Sequence, residues 1–221
     1  MAGRRTYDDP CGIARALDVV GERWALLVVR ELLFGPKRFG ALHRGLAGMS
    51  QNVLSQRLRD LELADIVRHR TLGPPTSARV YELTRRGQDL EPVLIALARW
   101  GSRTPLDVSS TAELSVAAMM FALRTTFDPT AASGMTARLV LHLDDDLFAA
   151  DIQSGRLHVA RAEPPLHADA TLATDVGTFR SLAFGGRPPA EAVRAGELRL
   201  EGDADLMTRF LACFRRPSPN S

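Results

Sequence analysis

The sequence predicts an α+β fold in two parts: a mainly helical front half with one β-hairpin, and a back half in which strands precede helices. Two periodicities carry this prediction. Apolar residues recur every three or four positions through most of residues 11–63 and 84–100, which is typical of amphipathic helices. Between residues 135 and 174, short runs of alternating apolar and polar residues are typical of consecutive strands.

Length and composition are those of an ordinary globular chain. Its 221 residues allow one or two compact cores, and 45% of them are hydrophobic and 24% charged. No apolar run approaches the roughly 18 residues of a membrane span. Asp8 and Asp9 stand where a secretory signal would carry an apolar stretch. We therefore expect a cytoplasmic protein without a membrane partner.

Charge is divided unevenly about a predicted linker at residues 101–107. Residues 1–105 contain 17 Arg/Lys against 11 Asp/Glu (+6), and residues 106–221 contain 11 against 15 (−4). We predict a domain boundary there, with a front domain suited to a polyanion and a back domain that does not contact it. A surplus of six is also compatible with an ordinary solvated surface.

The front domain opens with three helical segments. Residues 11–34 have the apolar period of a helix, which Gly21 divides into two. A basic stretch follows, whose Lys37 and Arg38 we expect to contact the polyanion, and then a short helix that Gly48 ends. The next helix begins after Ser50, a favourable N-cap, and runs to residue 63 without proline or glycine.

At 100° per residue, this last helix separates into an apolar and a polar face. The apolar face holds Val53, Leu54, Leu58 and Leu61. Arg57 falls among them, so we expect it to pair internally or to reach a phosphate. The polar side, with the N-cap, holds Ser50, Gln51, Asn52, Ser55, Gln56 and Arg59.

A polar helix face is most often merely solvated, but the composition of this one favours nucleic acid. Gln, Asn and Arg make bidentate hydrogen bonds to adenine and guanine edges, whereas a face kept polar for solubility is richer in Glu and Lys. The short helix and the turn before it complete the arrangement in which a second helix enters the major groove. The segment therefore predicts a helix-turn-helix.

A β-hairpin follows, with two alternating arms around a turn at Gly73-Pro-Pro. It could follow a phosphate backbone or be an exposed edge kept soluble by charge, and the preceding helix favours the first. The hairpin makes the motif a winged helix-turn-helix. Its basic residues are Arg68, His69, Arg70 and Arg79, opposed by Glu82.

The last helix of the front domain, from Thr84 to Trp100, carries more apolar surface than so small a domain can cover. Pro92 should kink this helix or lie early in it. The surplus, with that of the first helix, predicts a homodimer interface. The stripe consists of Leu90, Val93, Leu94, Leu97 and Trp100.

Several segments occur in an order known from one family: Cys11 through Gly21-Glu-Arg-Trp24, Arg38-Phe39, and Met49-Ser-Gln-Asn through Glu62. Over residues 7–103 they resemble the HxlR-type winged-helix regulators. The resemblance implies a dimer joined through its first and last helices, bound to a palindromic operator. Some members sense oxidants with a cysteine at the position of Cys11, usually followed by proline. Here Gly12 follows, so Cys11 is a redox sensor or, as we favour, a small residue packed in the dimer interface.

The back domain is predicted to have an amphipathic helix at residues 111–127. Strands are predicted at 135–143, 147–153, 154–161, 168–174 and 197–202, and further helices at 176–184, 188–195 and 204–214. Gly155-Arg-Leu-His-Val, Ala168-Asp-Ala-Thr-Leu, the helix after Asp175 and the strand that ends at Gly202 resemble the sterol-carrier-protein fold in that order. The resemblance implies a hydrophobic pocket between sheet and helices.

No reactive constellation stands out. His142, His158 and His167 lack a ligand spacing, and Asp144-Asp-Asp146 lacks the glycine and glutamate of a calcium loop. We therefore predict no enzyme, cofactor or metal. The sequence indicates a transcriptional regulator, with repression the commoner case, that answers to an apolar small ligand. The alternative is a lipid carrier whose winged helix is only a dimerisation scaffold.

Overall fold

Helices and strands follow one another in the predicted order along residues 6–73, 77–104, 113–164 and 167–214, which are the residues that the computed structural model describes. The chain divides into two units, Met1–Leu94 and Ile95–Ser221. The α+β class is confirmed, with a winged helix-turn-helix in the first unit and a five-stranded sheet in the second. The boundary placed at residue 105 lies outside the described residues and stays a prediction.

The helix-turn-helix begins where local signals place it. Gly21 caps the first helix, and the left-handed φ of Gly48 (84°) turns the chain into the fourth. The hydroxyl of Ser50 accepts the backbone N–H of Val53 at 3.3 Å, as expected of an N-cap. The helices are α1 (Gly12–Val20), α2 (Ala25–Leu32), α3 (Phe39–Gly45) and α4 (Gln51–Leu63).

The wing, residues 67–83, is an antiparallel hairpin of β1 (Val67–Thr71) and β2 (Arg79–Leu83). Pro74 and Pro75 of its predicted turn lie outside the described residues. The backbone of Lys37 exchanges two hydrogen bonds with Tyr81, which adds the segment before α3 to the edge of β2. The wing is thereby tied to the helix-turn-helix.

The helix predicted from Thr84 to Trp100 is two helices, α5 (Arg85–Gln88) and α6 (Glu91–Gly101). Thr84 caps the first of them by accepting the N–H of Gly87. Pro92 lies early in α6, as one of the two predicted alternatives has it. Proline is tolerated in the first turn of a helix because the N–H groups there have no partner within the helix.

Apolar side chains of α4 hold it in the core of the first unit. Leu54, Leu58 and Leu61 are fully buried, as predicted. Val53 was expected to pack with them, but it is 39% exposed. It lies in the first turn, about 100° around the helix from Leu54, at the margin of the packed side.

The second unit is a mixed sheet with the strand order β5-β4-β3-β6-β7, in which β3 and β6 run parallel. Its strands are β3 (Ala137–Leu143), β4 (Asp146–Gln153), β5 (Arg156–Arg161), β6 (Ala170–Thr174) and β7 (Arg199–Gly202). Its helices are α7 (Val116–Thr126), α8 (Val176–Phe184), α9 (Pro189–Arg194) and α10 (Ala204–Leu211). Helix α7 begins later than predicted, and it is not amphipathic, since Ala117 to Phe121 are buried in succession.

One close approach in the first unit generates a stability prediction. A Cβ added at Gly87 would overlap the carbonyl oxygen of Ile66, so α5 can lie against this carbonyl only through glycine. We expect Gly87→Ala to lower the free energy of unfolding by about 2 kcal/mol, as overpacking does. Urea denaturation followed by Trp24 fluorescence, in a Trp100→Phe background, measures it.

The matched control is Gly12→Ala, because nothing lies within 4 Å of a Cβ at that exposed helical position. Alanine there should leave the first unit unchanged or slightly more stable. Equal midpoints for the two variants would contradict the close approach of α5 to Ile66.

Candidate nucleic-acid interface

The polar face of α4 is open to solvent. Gln51, Asn52, Gln56 and Arg59 are exposed, and Ser55 is half-buried. Within the described part of the chain, the side chains of Gln51 and Asn52 make no hydrogen bond, so their amides are available at the N-terminal end of the helix. The face is therefore brought together as the sequence predicts, while Ser50 at its start is engaged as the cap.

The rest of this face is internally hydrogen-bonded. The amide nitrogen of Gln56 donates to Oδ1 of Asp60 at 2.8 Å, and its oxygen accepts from Nη2 of Arg59 at 2.7 Å. The amide orientation of Gln56 is thereby fixed at both ends. Asp60 was not singled out from the sequence, although its spacing of four residues from Gln56 is a signal for such a pair.

Arg57 lies on the inner side, as the sequence predicts. Its Nη1 donates to Asp60 at 3.1 Å and its Nη2 to Glu22 at 3.3 Å. Both terminal nitrogens are engaged within the protein, which excludes Arg57 from the base-reading face.

On one face of the wing, Glu82 holds two arginines side by side. Its two carboxylate oxygens accept from Nε of Arg68 and from Nε of Arg70, each at 2.8 Å. Each arginine donates through Nε, and among the described residues its terminal nitrogens make no hydrogen bond. The sequence presents Glu82 only as an opposing charge, yet the strand register pairs it with Arg68 and so could have shown its position.

On the other face, His69 joins the wing to α4. Its Nδ1 lies 2.6 Å from Oε1 of Glu62, and its Nε2 lies 3.0 Å from Nη2 of Arg79. A guanidinium only donates, so Nε2 accepts and Nδ1 carries the hydrogen that is donated to Glu62. With Glu62 and Glu82 among the basic side chains, the wing is less positive than its arginines suggest.

The side chain of Lys37 is not available to the predicted interface. Its Nζ donates to Oε2 of Glu31 at 2.7 Å, and its side chain is 11% exposed. Glu31 is fully buried and also accepts from Arg30 at 2.9 Å. Lys37 is therefore an internal partner and not an available cation, whereas Arg38 at the start of α3 is exposed. The sequence hides this pair, because Glu31 sits within the apolar run of α2.

Two family models together cover nearly all of the chain. Residues 19–107 match the HxlR-like helix-turn-helix family, and residues 106–220 match the alkyl sulfatase C-terminal family. An uncharacterised HTH-type transcriptional regulator of Synechocystis sp. is 42% identical over 93 residues, which are 42% of this chain and 68% of that protein. YvaP of Bacillus subtilis, also an uncharacterised HTH-type regulator, is 38% identical over 89 residues, 40% of this chain and 82% of YvaP.

The chain belongs to the HxlR-like helix-turn-helix family. For the back domain of this HxlR-like transcriptional regulator, the match is to the alkyl sulfatase C-terminal family and not to the sterol-carrier proteins that its pattern resembles. Among solved structures, reduced YodB of B. subtilis is 29% identical (TM-score 0.38, 48% of this chain and 100% of YodB). The sec-alkylsulfatase Pisa1 from Pseudomonas sp. is 21% identical (TM-score 0.45, 52% of this chain and 19% of Pisa1).

Cys11 of the HxlR-like regulator is exposed in the single chain, at the N-cap position of α1, and its side chain makes no capping hydrogen bond. Its role as a sensor or as an interface residue stays a prediction. Cys213 is buried, and burial raises the pKa of its thiol, which keeps the thiol protonated.

The acidic turn of the back domain, Asp144 to Asp146, joins β3 to β4. Burial, and next the nearby Asp175, raise the pKa of Asp144. The pKa of Asp175 is lowered chiefly because its carboxylate accepts the backbone N–H of Thr178 as the N-cap of α8. Among the described residues, no group of three His, Cys, Asp or Glu side chains is arranged to hold a metal ion. The helices in those same ranges are all too short or too polar to cross a membrane.

The buried Glu31 makes the second prediction. In Glu31→Ala, Arg30 and Lys37 lose the carboxylate that holds them in a largely buried place, and removing one partner of such a pair costs about 3–5 kcal/mol. The urea assay on Trp24 measures this loss in the first unit. Glu22→Gln, in the same unit, removes the charge of a 69% exposed carboxylate that contacts Arg57, and it should cost far less. A similar small loss of unfolding free energy in both variants would show that the buried Glu31 carboxylate does not stabilise the first unit.

Proposed function

We propose that this regulator binds a palindromic operator as a homodimer, with α4 in the major groove and the wing against the phosphate backbone, and that it acts as a repressor. One observation carries the proposal. The amides of Gln51 and Asn52 are exposed at the leading end of a helix whose opposite side is fixed by Leu54 and Leu58. A protein that used its winged helix only as a scaffold would have no need of such a face.

The base-reading role belongs to the first turns of α4. Asn and Gln recognise adenine through two hydrogen bonds, and Arg recognises guanine in the same way. The side-chain amides of Gln51 and Asn52 can bind a base without first breaking another hydrogen bond, and Ser55 lies on the same face. Gln56 and Arg59 are bonded to each other and act as one unit, so that a base edge must replace their mutual hydrogen bond.

The phosphate-binding role belongs to the wing and to the segment before α3. Glu82 holds Arg68 and Arg70 side by side through Nε, which leaves their terminal N–H groups for neighbouring phosphate oxygens. Arg79 with His69 supplies the other face, and exposed Arg38 a further contact. Lys37 has no part in the interface, because Glu31 retains it.

Dimerisation rests on apolar surface that a single chain leaves open. On α1, Ile13 is 72% exposed and Leu17 lies one turn further along the same helix. On α6, Val93, Leu97 and Trp100 recur at helical spacing, and Trp100 is 69% exposed. Covering both helices with a second copy would remove this surface from water and place two copies of α4 on a palindrome.

We assign an apolar small-molecule ligand to the back domain, in keeping with its sterol-carrier-like pattern and with the alkyl chain in the name of the family it matches. Phe148, Phe179 and Phe210 are fully buried in this domain. A ligand that enters among them must displace them, which gives it the differential effect on conformation that regulation needs. Native mass spectrometry of the purified chain would detect a retained apolar molecule.

Substitutions in α4 and in the wing should have different effects on operator binding. Gln51→Ala and Asn52→Ala should relax base preference at single positions, because a good bidentate contact contributes about 1–3 kcal/mol of discrimination. Arg70→Ala should weaken all sequences alike, since phosphate contacts are independent of sequence. Selection from a random duplex library, followed by anisotropy titrations, measures both.

The control is Arg194→Ala, which removes a cation from the exposed surface of α9 in the other unit. Affinity and preference should be unchanged in this variant. If Gln51→Ala and Asn52→Ala retained the base preference of the unsubstituted chain, α4 would not be the reading helix.

A further inference from the structure

The first unit contains a cleft of about 500 Å³ that the proposed DNA contacts do not use. One wall of the cleft is formed by α1. The other wall is formed by the turn after α4 and by residues of α5 and of the link from α5 to α6. Its volume is in the usual range of small-ligand sites, roughly 300–1,000 Å³. Among its lining residues are Arg15, Val19, Val20, Ile66, Arg86 and Leu90.

The lining combines an apolar floor with two guanidinium groups. Arg15 is exposed, and its side chain has no partner among the residues described. Arg86 donates Nη1 to the carbonyl of Ala64 at 2.9 Å and retains its other donors. Asp18 also lines the cleft, but Oδ1 of its carboxylate accepts the backbone N–H of Tyr7 at 3.0 Å. Two cations against one engaged carboxylate favour a negatively charged ligand.

We propose that this cleft binds a small organic anion, an aromatic or branched apolar body that carries a carboxylate. The body contacts Val19, Val20 and Leu90, and the carboxylate accepts hydrogen bonds from Arg15 and Arg86. A planar guanidinium matches a carboxylate in two hydrogen bonds, which are stronger than those between neutral groups.

The position of the cleft gives such a ligand a route to the DNA-binding surface, and this step rests on the proposed function. Ile66 connects the end of α4 to β1, and its carbonyl accepts the N–H of Thr84 at 3.0 Å. Arg86 bonds to Ala64 in the same turn. An anion that binds Arg86 and contacts Ile66 therefore acts on the turn that connects α4 to the wing, and it changes operator affinity.

Isothermal titration calorimetry of the full chain without DNA tests the site, with 1-naphthoate as the probe and neutral 1-naphthamide as its matched control. Naphthoate should bind saturably, one molecule per chain, and naphthamide at least about tenfold more weakly, as the loss of a charge-assisted pair implies. Arg15→Gln should weaken naphthoate about tenfold, Ala16→Phe should fill the cleft and abolish binding, and Arg194→Gln should leave it unchanged.

No saturable heat with naphthoate overturns the proposal, whether the cleft is empty or covered by a second copy. Binding that neither Arg15→Gln nor Ala16→Phe alters also overturns it and assigns the probe to another site. Thermal melts establish that the variants are folded, and Arg15→Gln decides the result if Ala16→Phe is not. If the chain binds naphthoate but no duplex, the proposed ligand site stands and the proposed function is contradicted. If the chain binds its operator but no naphthoate, the proposed function stands and the ligand site is contradicted.

Discussion

The buried carboxylate of Glu31 connects α2, α3 and the segment that pairs with the wing in the DNA-binding unit. Arg30 and Lys37 donate to its two oxygens, and a Cβ at Gly45 of α3 would overlap it. Lys37 is also bonded through its backbone to Tyr81 of the wing. Such a charge is tolerated inside a protein only when its partners are held in place. Glu31 thus fixes α2, α3 and the base of the wing with respect to one another.

The rest of the interface follows from that arrangement. Helix α4 packs on the core through three leucines, which leaves its amide and guanidinium side chains on the outside. Glu62 and Glu82 then order the basic residues of the wing, one on each face. These carboxylates reduce the net positive charge and in return hold His69, Arg68 and Arg70 in defined places. The fixed positions of these basic side chains, more than their total charge, distinguish this surface from a merely basic one.

Local signals were enough to predict most of the elements and the outward face of α4. The Ser50 cap, the breaks at Gly21 and Gly48, and the bounds of α8 all depend on neighbouring residues and agree with the structure. The pairs Glu31–Lys37, Glu62–His69 and Arg57–Glu22 depend on residues that only the fold brings together. For the same reason, alternation could predict the strands of the back domain but not that β3 pairs with β6 in parallel. The burial of five successive residues of α7, Ala117 to Phe121, was likewise hidden, because such a segment has no polar stripe in its sequence.

The salt dependence of operator binding tests the central claim, that α4 and the wing bind duplex DNA, most directly. The duplex recovered by selection is titrated with the full chain over a range of salt concentrations, and log K is plotted against log[salt]. We predict a steep linear fall of about 0.9 per phosphate contact, and a slope smaller by about three when Arg68, Arg70 and Arg79 are all changed to Gln. Affinity that is independent of salt, or no binding to any duplex, would contradict the account.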